Sequence, residues 1–273
     1  MDVVTKEIAD ILDSEKFNDL PAALMKRLEK RGHITQRPLE DETADLKLLS
    51  HIHKKLLGRS KITLIIMPTY DCNFRCPYCH NKDLPQAVND NGWTLQQIVQ
   101  YLQEARSLIT AVCITGGEPT LMPETLRFLV KSFKDLGLKV KLDSNGSHPE
   151  LLEELSKTVD YIAMDLKTSL QRYSEIIAPG CSDIEHKLQA SMQCLMQRPM
   201  KAYEFRTTLA WDFVDETVMH DLGKLIKPDS YWYLQHWRRD KVSETDTLIA
   251  ERVCINNCYA IAKKYTQHAF LRE

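Results

Sequence analysis

Predicted strands and helices alternate along the chain after residue 60. Seven short apolar stretches have the pattern of strands, at residues 61–67, 111–115, 139–143, 161–166, 204–210, 230–236 and 268–272. Apolar residues at helical spacing predict helices between them, at 95–109, 124–136, 150–158, 183–197, 216–226 and 246–264. The first stretch, strongly apolar and ended by Pro68, is expected to be a buried strand. Six consecutive βα units predict an α/β fold, a partial (β/α)6 TIM-like barrel with helices outside a parallel sheet.

The first sixty residues have a different pattern. Two short helices are predicted up to Gly32, a plausible helix stop after two cations, and a polar linker at 35–43 precedes another helical segment at 44–57. We therefore expect two parts, a helical extension at 1–60 and a core domain at 61–273. The extension is interpreted either as a helical cap over one end of the core, which we favour, or as a docking module for a peptide or partner protein.

Composition narrows the choice of partners and compartment. The chain has 273 residues with 36 basic and 38 acidic side chains, so its bulk charge gives no indication of nucleic-acid or membrane-surface binding. Its eight cysteines show no disulfide-like framework, its first residues form no apolar signal segment, and no apolar stretch is long enough to cross a bilayer. These features predict a cytoplasmic protein without a membrane partner.

Three cysteines, Cys72, Cys76 and Cys79, follow the first predicted strand at C-x3-C-x2-C spacing. A four-iron cluster held by cysteine normally takes four thiolates, so a compact triplet suggests one iron with a coordination site left for another group. A Cys3His zinc site with His80 is the alternative. Structural zinc sites usually use two separated ligand pairs, which this single cluster lacks, and we therefore favour iron.

Polar residues also follow the other predicted strands. They occur at 115–120, 143–146 and 165–167, within the fifth strand at 206–208, and around 235–238. Taken alone, the Gly-Gly-Glu-Pro segment at 116–119 and the Asp-Ser-Asn-Gly segment at 143–146 are ordinary turns, although two glycines would also let the backbone approach a ligand closely. Because the carboxyl ends of parallel strands meet at one edge of a sheet, we expect these groups to surround a common site.

From about residue 61 to the end, these motifs together resemble the radical S-adenosylmethionine superfamily. In that family the cysteine triplet binds a [4Fe-4S] cluster, and its fourth iron chelates the amino and carboxylate groups of S-adenosylmethionine. Reductive cleavage of this cofactor releases methionine and a 5′-deoxyadenosyl radical, which abstracts hydrogen from the substrate. The resemblance implies that Cys72, Cys76 and Cys79 hold one [4Fe-4S] cluster per chain, and that an external donor such as flavodoxin or ferredoxin reduces it.

The resemblance also implies which residues contact S-adenosylmethionine. Tyr78 is expected near the adenine, and Gly116, Gly117 and Glu118 near the methionine amino group. Ser144 and Asn145 are expected near the ribose or the methionine part, and Arg206 near the methionine carboxylate. Asp143 and Asp165 are expected to help bind a monovalent cation or to position the cofactor. His236 matches a rim histidine of relatives only loosely, and a lone histidine is more often a packed or hydrogen-bonded residue.

Within the superfamily the chain looks most like the activases of glycyl-radical enzymes, especially the anaerobic ribonucleotide reductase activating proteins. The Cys-Pro-Tyr-Cys-His-Asn segment at 76–81 follows their pattern, and the segments at 115–120, 143–146, 160–167 and 205–208 agree with it. The implied function is hydrogen abstraction from a protein substrate, with a large glycyl-radical enzyme as the partner.

Two other functions stay open at this point. The helical extension and the segment at 64–76 resemble the entry of radical peptide maturases, which implies a peptide substrate. Such enzymes usually carry extra cysteine-bound clusters, and Cys181, Cys194, Cys254 and Cys258 are candidates for one, although buried structural cysteine is the favoured interpretation. The third function is that of a non-catalytic iron-sulfur or zinc protein.

Overall fold

The structure is a computed structural model that describes residues 62–79, 92–105, 109–210, 212–237 and 245–272. The chain divides after residue 60 into two compact units, and all the described residues belong to the second. The helices predicted within residues 1–60, and His80 of the zinc alternative, lie outside the described residues, so both interpretations of the extension stay predictions. No helix in the described ranges is long and apolar enough to span a membrane.

Within the described ranges, seven parallel strands form one sheet in the order of the chain. They are β1 (Ile62–Ile66), β2 (Ile109–Ile114), β3 (Lys139–Ser144), β4 (Tyr161–Asp165), β5 (Tyr203–Leu209), β6 (Tyr231–His236) and β7 (His268–Arg272). The predicted α/β class and every predicted strand are confirmed, the seventh with the same bounds. Because each strand pairs with its neighbour in sequence, β1 and β7 are the two edge strands among the residues that the structure describes.

Six α-helices connect the strands within the described residues. They are α1 (Leu95–Glu104), α2 (Pro123–Asp135), α3 (Pro149–Ser156), α4 (Ile184–Leu195), α5 (Glu216–Leu225) and α6 (Thr245–Tyr265). A capping box between Thr94 and Gln97 begins α1. The prediction that α1 continues to Ile109 is wrong, because Ile109 is a buried residue that begins β2. Three short 3-10 segments, Pro119–Leu121, Leu170–Glu175 and Met200–Ala202, had no counterpart among the predictions.

The hydrophobic core lies on the face of the sheet that the helices cover. The central strands contribute Val112, Ile114, Val140, Leu142, Ile162, Met164, Phe205, Trp232 and Leu234, all 2% exposed or less. Helix α2 adds Leu126, Leu129 and Phe133. Since successive side chains of a strand point to opposite faces, the intervening residues face the other side of the sheet. That inner face carries charged and polar groups, which is where the site is built.

Strand β1 is less buried than its composition predicts. Only Ile66 is buried, packed in the core, whereas Ile65 is 63% exposed and Ile62 is 44% exposed. The expectation of a fully buried strand is therefore wrong. The physical reason is its edge position, since among the described strands β1 pairs with β2 alone.

Candidate active site

A cavity of about 560 Å³ lies at the carboxyl edge of the sheet. Its lining includes the three cysteines and seven other predicted site residues, namely Cys72, Cys76, Cys79, Tyr78, Gly116, Gly117, Glu118, Ser144, Asn145 and Arg206. The structure does not bring His236 into this lining. Every second residue of β6 points to the same face of the sheet, so His236 points to the helix side, as Trp232 and Leu234 do. Its neighbour Gln235 points to the other face and lines the cavity.

Backbone pairing holds the cysteine loop in place. Phe74 forms an antiparallel bridge with Ile177, and the N–H of Arg75 donates a 2.6 Å hydrogen bond to the carbonyl of Ile176. The Phe74 ring is buried and packs edge-on against Tyr173 at 5.7 Å between centroids. The loop is thus fixed to the segment that follows β4.

The three thiols are partly buried or exposed at the cavity wall. Burial raises the pKa of Cys72, and it raises the pKa of Cys76 to about 11, while the nearby Lys167 charge opposes both shifts. Metal binding requires thiolates, so uptake of iron here would release protons.

The donor set at the cavity wall consists of three thiols. Within the described ranges no three histidine, cysteine, aspartate or glutamate side chains are arranged around one metal position. A tetrahedral zinc site needs its ligands to converge on one ion, whereas a four-iron cluster binds each thiolate through a different iron. The three thiols would suit the second arrangement, and His80, the fourth ligand of the zinc alternative, lies outside the described residues.

The two glycines after β2 allow a close contact between loops. Gly117 donates a 3.0 Å hydrogen bond to the carbonyl of Thr69, and a Cβ on Gly117 would lie only 2.1 Å from the carbonyl oxygen of Asp71. Gly116 has φ +126, and a Cβ there would lie 2.6 Å from the Thr69 oxygen. The sequence suggested that these glycines admit a ligand. The structure shows that they also admit the backbone preceding Cys72.

Glu118 is a buried carboxylate, 1% exposed, at the wall of the cavity. It accepts hydrogen bonds from the Ser144 hydroxyl at 2.9 Å, the Asn145 N–H at 2.6 Å and the Thr120 hydroxyl at 2.5 Å. Burial raises the pKa of Glu118, and these hydrogen bonds oppose the shift. In the part of the chain that the structure describes, no cationic side chain pairs with it. A cationic group of a ligand would compensate the buried charge.

Ser144 and Asn145 connect Glu118 to the cysteine loop. The Asn145 side-chain amide donates to the Asn73 side-chain oxygen at 2.8 Å and lies 3.9 Å from the sulfur of Cys72. These two residues, predicted to touch the cofactor, therefore also hold the carboxylate and the first thiol in one network.

Arg206 lies in a cluster of charges on the inner face of the sheet. It donates to Asp165 at 2.7 Å and to Asp143 at 3.0 Å. Burial alone would raise the pKa of Asp165, but the charges of Arg206 and Lys167 lower it to about 2. Lys141 and Lys167 complete the cluster, with contacts of 2.5 Å to Asp143 and 3.1 Å to Asp165. Three cations against two carboxylates leave one net positive charge beside the cavity.

Tyr78 is 6% exposed and joins the cysteine loop to the end of β4. Its hydroxyl donates a 2.9 Å hydrogen bond to the Lys167 carbonyl. Its ring packs near Phe213 and Trp237, at 5.5 and 6.3 Å between centroids. The ring is thus held in a fixed orientation at the cavity wall.

The lining residues that were not predicted individually as site residues include Lys167, Thr208 and Gln235, which lie in polar segments that the sequence placed around a common site. Each stands at or near the carboxyl end of a strand whose polar end the sequence had already shown. Alternate residues of a strand point to the inner face of the sheet, and this alternation could have been used to predict these three residues from the sequence.

The four remaining candidate cysteines do not form one group of neighbouring side chains. Cys181 accepts a 3.8 Å contact from Asn73, Cys194 bonds with Ser156, and Cys254 with Cys258 on α6. Cys258 is fully buried, and burial raises its pKa to about 12. The described side chains therefore offer no arrangement for a second cluster.

Comparisons with known proteins identify relatives. A family model described as the radical SAM superfamily matches residues 66–189. A protein of Methanocaldococcus jannaschii described as a putative glycyl-radical enzyme activating enzyme is 30% identical over 210 residues, which cover 74% of this chain and 86% of that protein.

Solved structures share the fold. Streptococcus suis SuiB bound to S-adenosylmethionine matches with a TM-score of 0.54 at 16% identity, covering 98% of this chain and 63% of SuiB. SuiB bound to its precursor peptide SuiA matches with a TM-score of 0.55 at 15% identity, covering 98% and 62%. The chain thus spans about three fifths of SuiB, and at these identities the likeness is one of fold.

Proposed function

Because this chain belongs to the radical S-adenosylmethionine superfamily, whose enzymes use S-adenosylmethionine and an iron-sulfur cluster, we propose that it activates a glycyl-radical enzyme by abstracting hydrogen from a glycine of that protein. The observation that carries the proposal is the convergence of three cysteines, a buried carboxylate and a positive cluster on one cavity of about 560 Å³. Such a cavity has the size of a small-molecule site.

Cys72, Cys76 and Cys79 are proposed to hold one [4Fe-4S] cluster. Backbone hydrogen bonds to 176–178 and to the turn after β2 hold the backbone on both sides of Cys72. When bound, the cluster and S-adenosylmethionine supply reductive cleavage and hydrogen-atom abstraction. The reducing electron is proposed to come from an external flavodoxin or ferredoxin.

The charges of the cavity complement the methionine part of S-adenosylmethionine. Glu118 is proposed to accept hydrogen bonds from the ammonium group, since it is a buried carboxylate with no cationic partner among the described residues. The net positive charge around Arg206 and Lys167 suits the carboxylate group. Two donor nitrogens of Arg206 already serve Asp143 and Asp165, so Arg206 would act together with Lys167.

The aromatic wall suits the nucleoside part. Tyr78 presents a buried ring whose hydroxyl is occupied by Lys167, so the ring face rather than the hydroxyl would pack against adenine. The close packing of Tyr78 with Phe213 helps to exclude water from the reacting groups.

The substrate class is supported by a relative that covers 74% of this chain and is described as a putative glycyl-radical enzyme activating enzyme. A radical enzyme that matures a peptide is the second candidate. The observation that favours it is the sixty-residue segment that precedes the core, since such a segment could bind a peptide.

One experiment tests whether the protein cleaves S-adenosylmethionine and distinguishes the two candidate functions. The protein is reconstituted anaerobically with iron and sulfide and reduced with S-adenosylmethionine present. Methionine and 5′-deoxyadenosine are measured. Adding a glycyl-radical enzyme from the same cell should give one equivalent of 5′-deoxyadenosine and a stable radical signal on that partner. Repeated turnover on a short peptide without that signal would support the second candidate, and an intact cluster without cleavage would contradict both.

A further inference from the structure

Thr120 links the Glu118 carboxylate to a histidine that the sequence did not single out. The Thr120 hydroxyl lies 2.5 Å from Oε1 of Glu118 and 2.8 Å from Nδ1 of His148. Both Thr120 and Glu118 are almost completely buried, at 2% and 1% exposed. The three side chains therefore form a continuous chain of hydrogen bonds that leads away from the cavity.

Counting protons fixes the direction of these bonds. A hydroxyl group has one proton to donate, and the shorter contact to the charged acceptor is the stronger one. Thr120 therefore donates to Glu118 and accepts from His148, which requires the tautomer of His148 that carries its proton on Nδ1. The Ser147 hydroxyl lies 3.1 Å from the same nitrogen and accepts a 2.9 Å hydrogen bond from Asn73, and its second lone pair can accept a weaker share of the Nδ1 proton.

His148 is held where it can serve this role. It is the residue before Pro149 at the start of α3, and its side chain lines a second cavity of about 280 Å³ together with Lys187 of α4. Burial lowers the pKa of His148, the Lys187 charge lowers it further, and Glu150 opposes them. These effects together favour the neutral ring, which has a single proton to place.

We propose that His148 is a positioning residue for Glu118. By donating to Thr120, it orients the threonine hydroxyl so that its proton points to Oε1, and this fixes the carboxylate in the orientation that faces the cavity. The inference rests on the proposed function, in which Glu118 binds the ammonium group of S-adenosylmethionine. Its consequence is that His148, which lines a different cavity, sets the affinity for the cofactor.

The test measures the dissociation constant of S-adenosylmethionine by equilibrium dialysis on the anaerobically reconstituted, oxidised full chain. Loss of one hydrogen bond is worth about 0.5–1.5 kcal/mol, which corresponds to roughly two- to tenfold in affinity. His148→Ala and Thr120→Val should each weaken binding within that range. Iron per chain and the melting temperature are measured for every variant, to separate loss of binding from loss of fold.

Conservative variants distinguish positioning from packing. His148→Asn keeps an amide N–H close to the place of Nδ1 and should restore binding, and Thr120→Ser keeps the hydroxyl and should bind as the unchanged protein does. His148→Gln carries its amide one methylene farther and should bind no better than His148→Ala. In a Glu118→Gln background, His148→Ala should cause no further loss.

The outcomes separate the two proposals. If Glu118→Gln binds S-adenosylmethionine normally, the proposed role of Glu118 is wrong. If Glu118→Gln weakens binding but His148→Ala does not, or if His148→Asn is as weak as His148→Ala, the positioning role of His148 is overturned while the proposed function stands.

Discussion

The backbone N–H of Glu118 donates a 2.8 Å hydrogen bond to the carbonyl oxygen of Asp71, the residue directly before Cys72. The turn that carries the carboxylate and the loop that carries the thiols are therefore joined by their main chains. Relative movement of the two would break backbone hydrogen bonds in a partly buried site. The distance between the carboxylate and the first thiol is thus fixed before any ligand binds.

Replacing Gly117 by alanine should disrupt this main-chain contact between the turn after β2 and the cysteine loop. The new Cβ would lie 2.1 Å from the Asp71 oxygen and 2.5 Å from the Tyr70 oxygen, and backbone atoms cannot move aside as a flexible side chain can. We expect a lower melting temperature and a clear loss of iron per chain after reconstitution. Gly180→Ala is the matched control, because its φ of +90 adds strain but no atom lies within 4 Å of the new Cβ. Full iron content in Gly117→Ala would contradict the prediction.

Each cysteine of the triplet should be required for the cluster. Cys72→Ala, Cys76→Ala and Cys79→Ala remove one proposed ligand each, so cluster absorbance and S-adenosylmethionine cleavage should be lost. Cys254→Ala is the control, since Cys254 lies on α6 and bonds only with Cys258 among the contacts described. Iron and acid-labile sulfide are measured per chain. Iron loss in Cys254→Ala would reopen the case for a second cluster.

Tyr78→Phe should destabilise the fold while leaving an aromatic ring in place. The change leaves the Lys167 carbonyl without its 2.9 Å donor, and an unsatisfied buried polar group costs about 1–3 kcal/mol. Urea unfolding should show this decrease in the free energy of unfolding. Tyr101→Phe, on an exposed side chain, should change it little. A Tyr78→Phe variant as stable as Tyr101→Phe would contradict a stabilising role for this hydrogen bond.

Asp160→Asn should lower stability in a way that depends on pH. Burial alone would raise the pKa of Asp160, but hydrogen bonds from Lys134, Lys139 and the Val140 N–H lower it from 3.8 to about 2. A carboxyl whose pKa is lower in the folded state stabilises the fold above its unfolded pKa, and this contribution is lost as pH falls from about 4 to about 2.

At pH 7 the free energy of unfolding of Asp160→Asn should be lower by about 1–2 kcal/mol, and the difference should disappear near pH 2. Asp135→Asn, which breaks an exposed ion pair with Lys131, should change it by less than about 0.5 kcal/mol. A difference for Asp160→Asn that is constant from pH 7 to pH 2 would contradict the titration of this carboxyl.

The sequence was sufficient to predict the strands because each is a compact apolar stretch between turn residues. It could not give the exposure of Ile65, since an apolar strand has the same composition at an edge as at the centre of a sheet, and only the order of strands distinguishes them. His236 was expected near the site because it loosely matches a rim histidine of relatives. The parity it shares with the buried Trp232 and Leu234 puts it on the other face.

The site residues on loops were predicted, but their connections were not. The charge cluster joins Asp143, Asp165 and Arg206 from three strands, and nothing in the sequence shows which carboxylate pairs with which cation. The hydrogen bonds that connect Glu118 to His148 through Thr120 could not be predicted from the sequence either, because a lone histidine after a turn belongs to no recognisable motif. These contacts depend on side chains brought together from distant parts of the chain.

The sequential order of the strands has a consequence for how the protein is made. Because every strand pairs with the one that precedes it, the sheet can grow one strand at a time as the chain leaves the ribosome. The cysteine loop emerges directly after β1, long before Arg206 of β5 and Gln235 of β6 are synthesised. The thiols therefore wait in an incomplete cavity, and a cluster inserted at that stage would be open to oxygen until the later strands close around it.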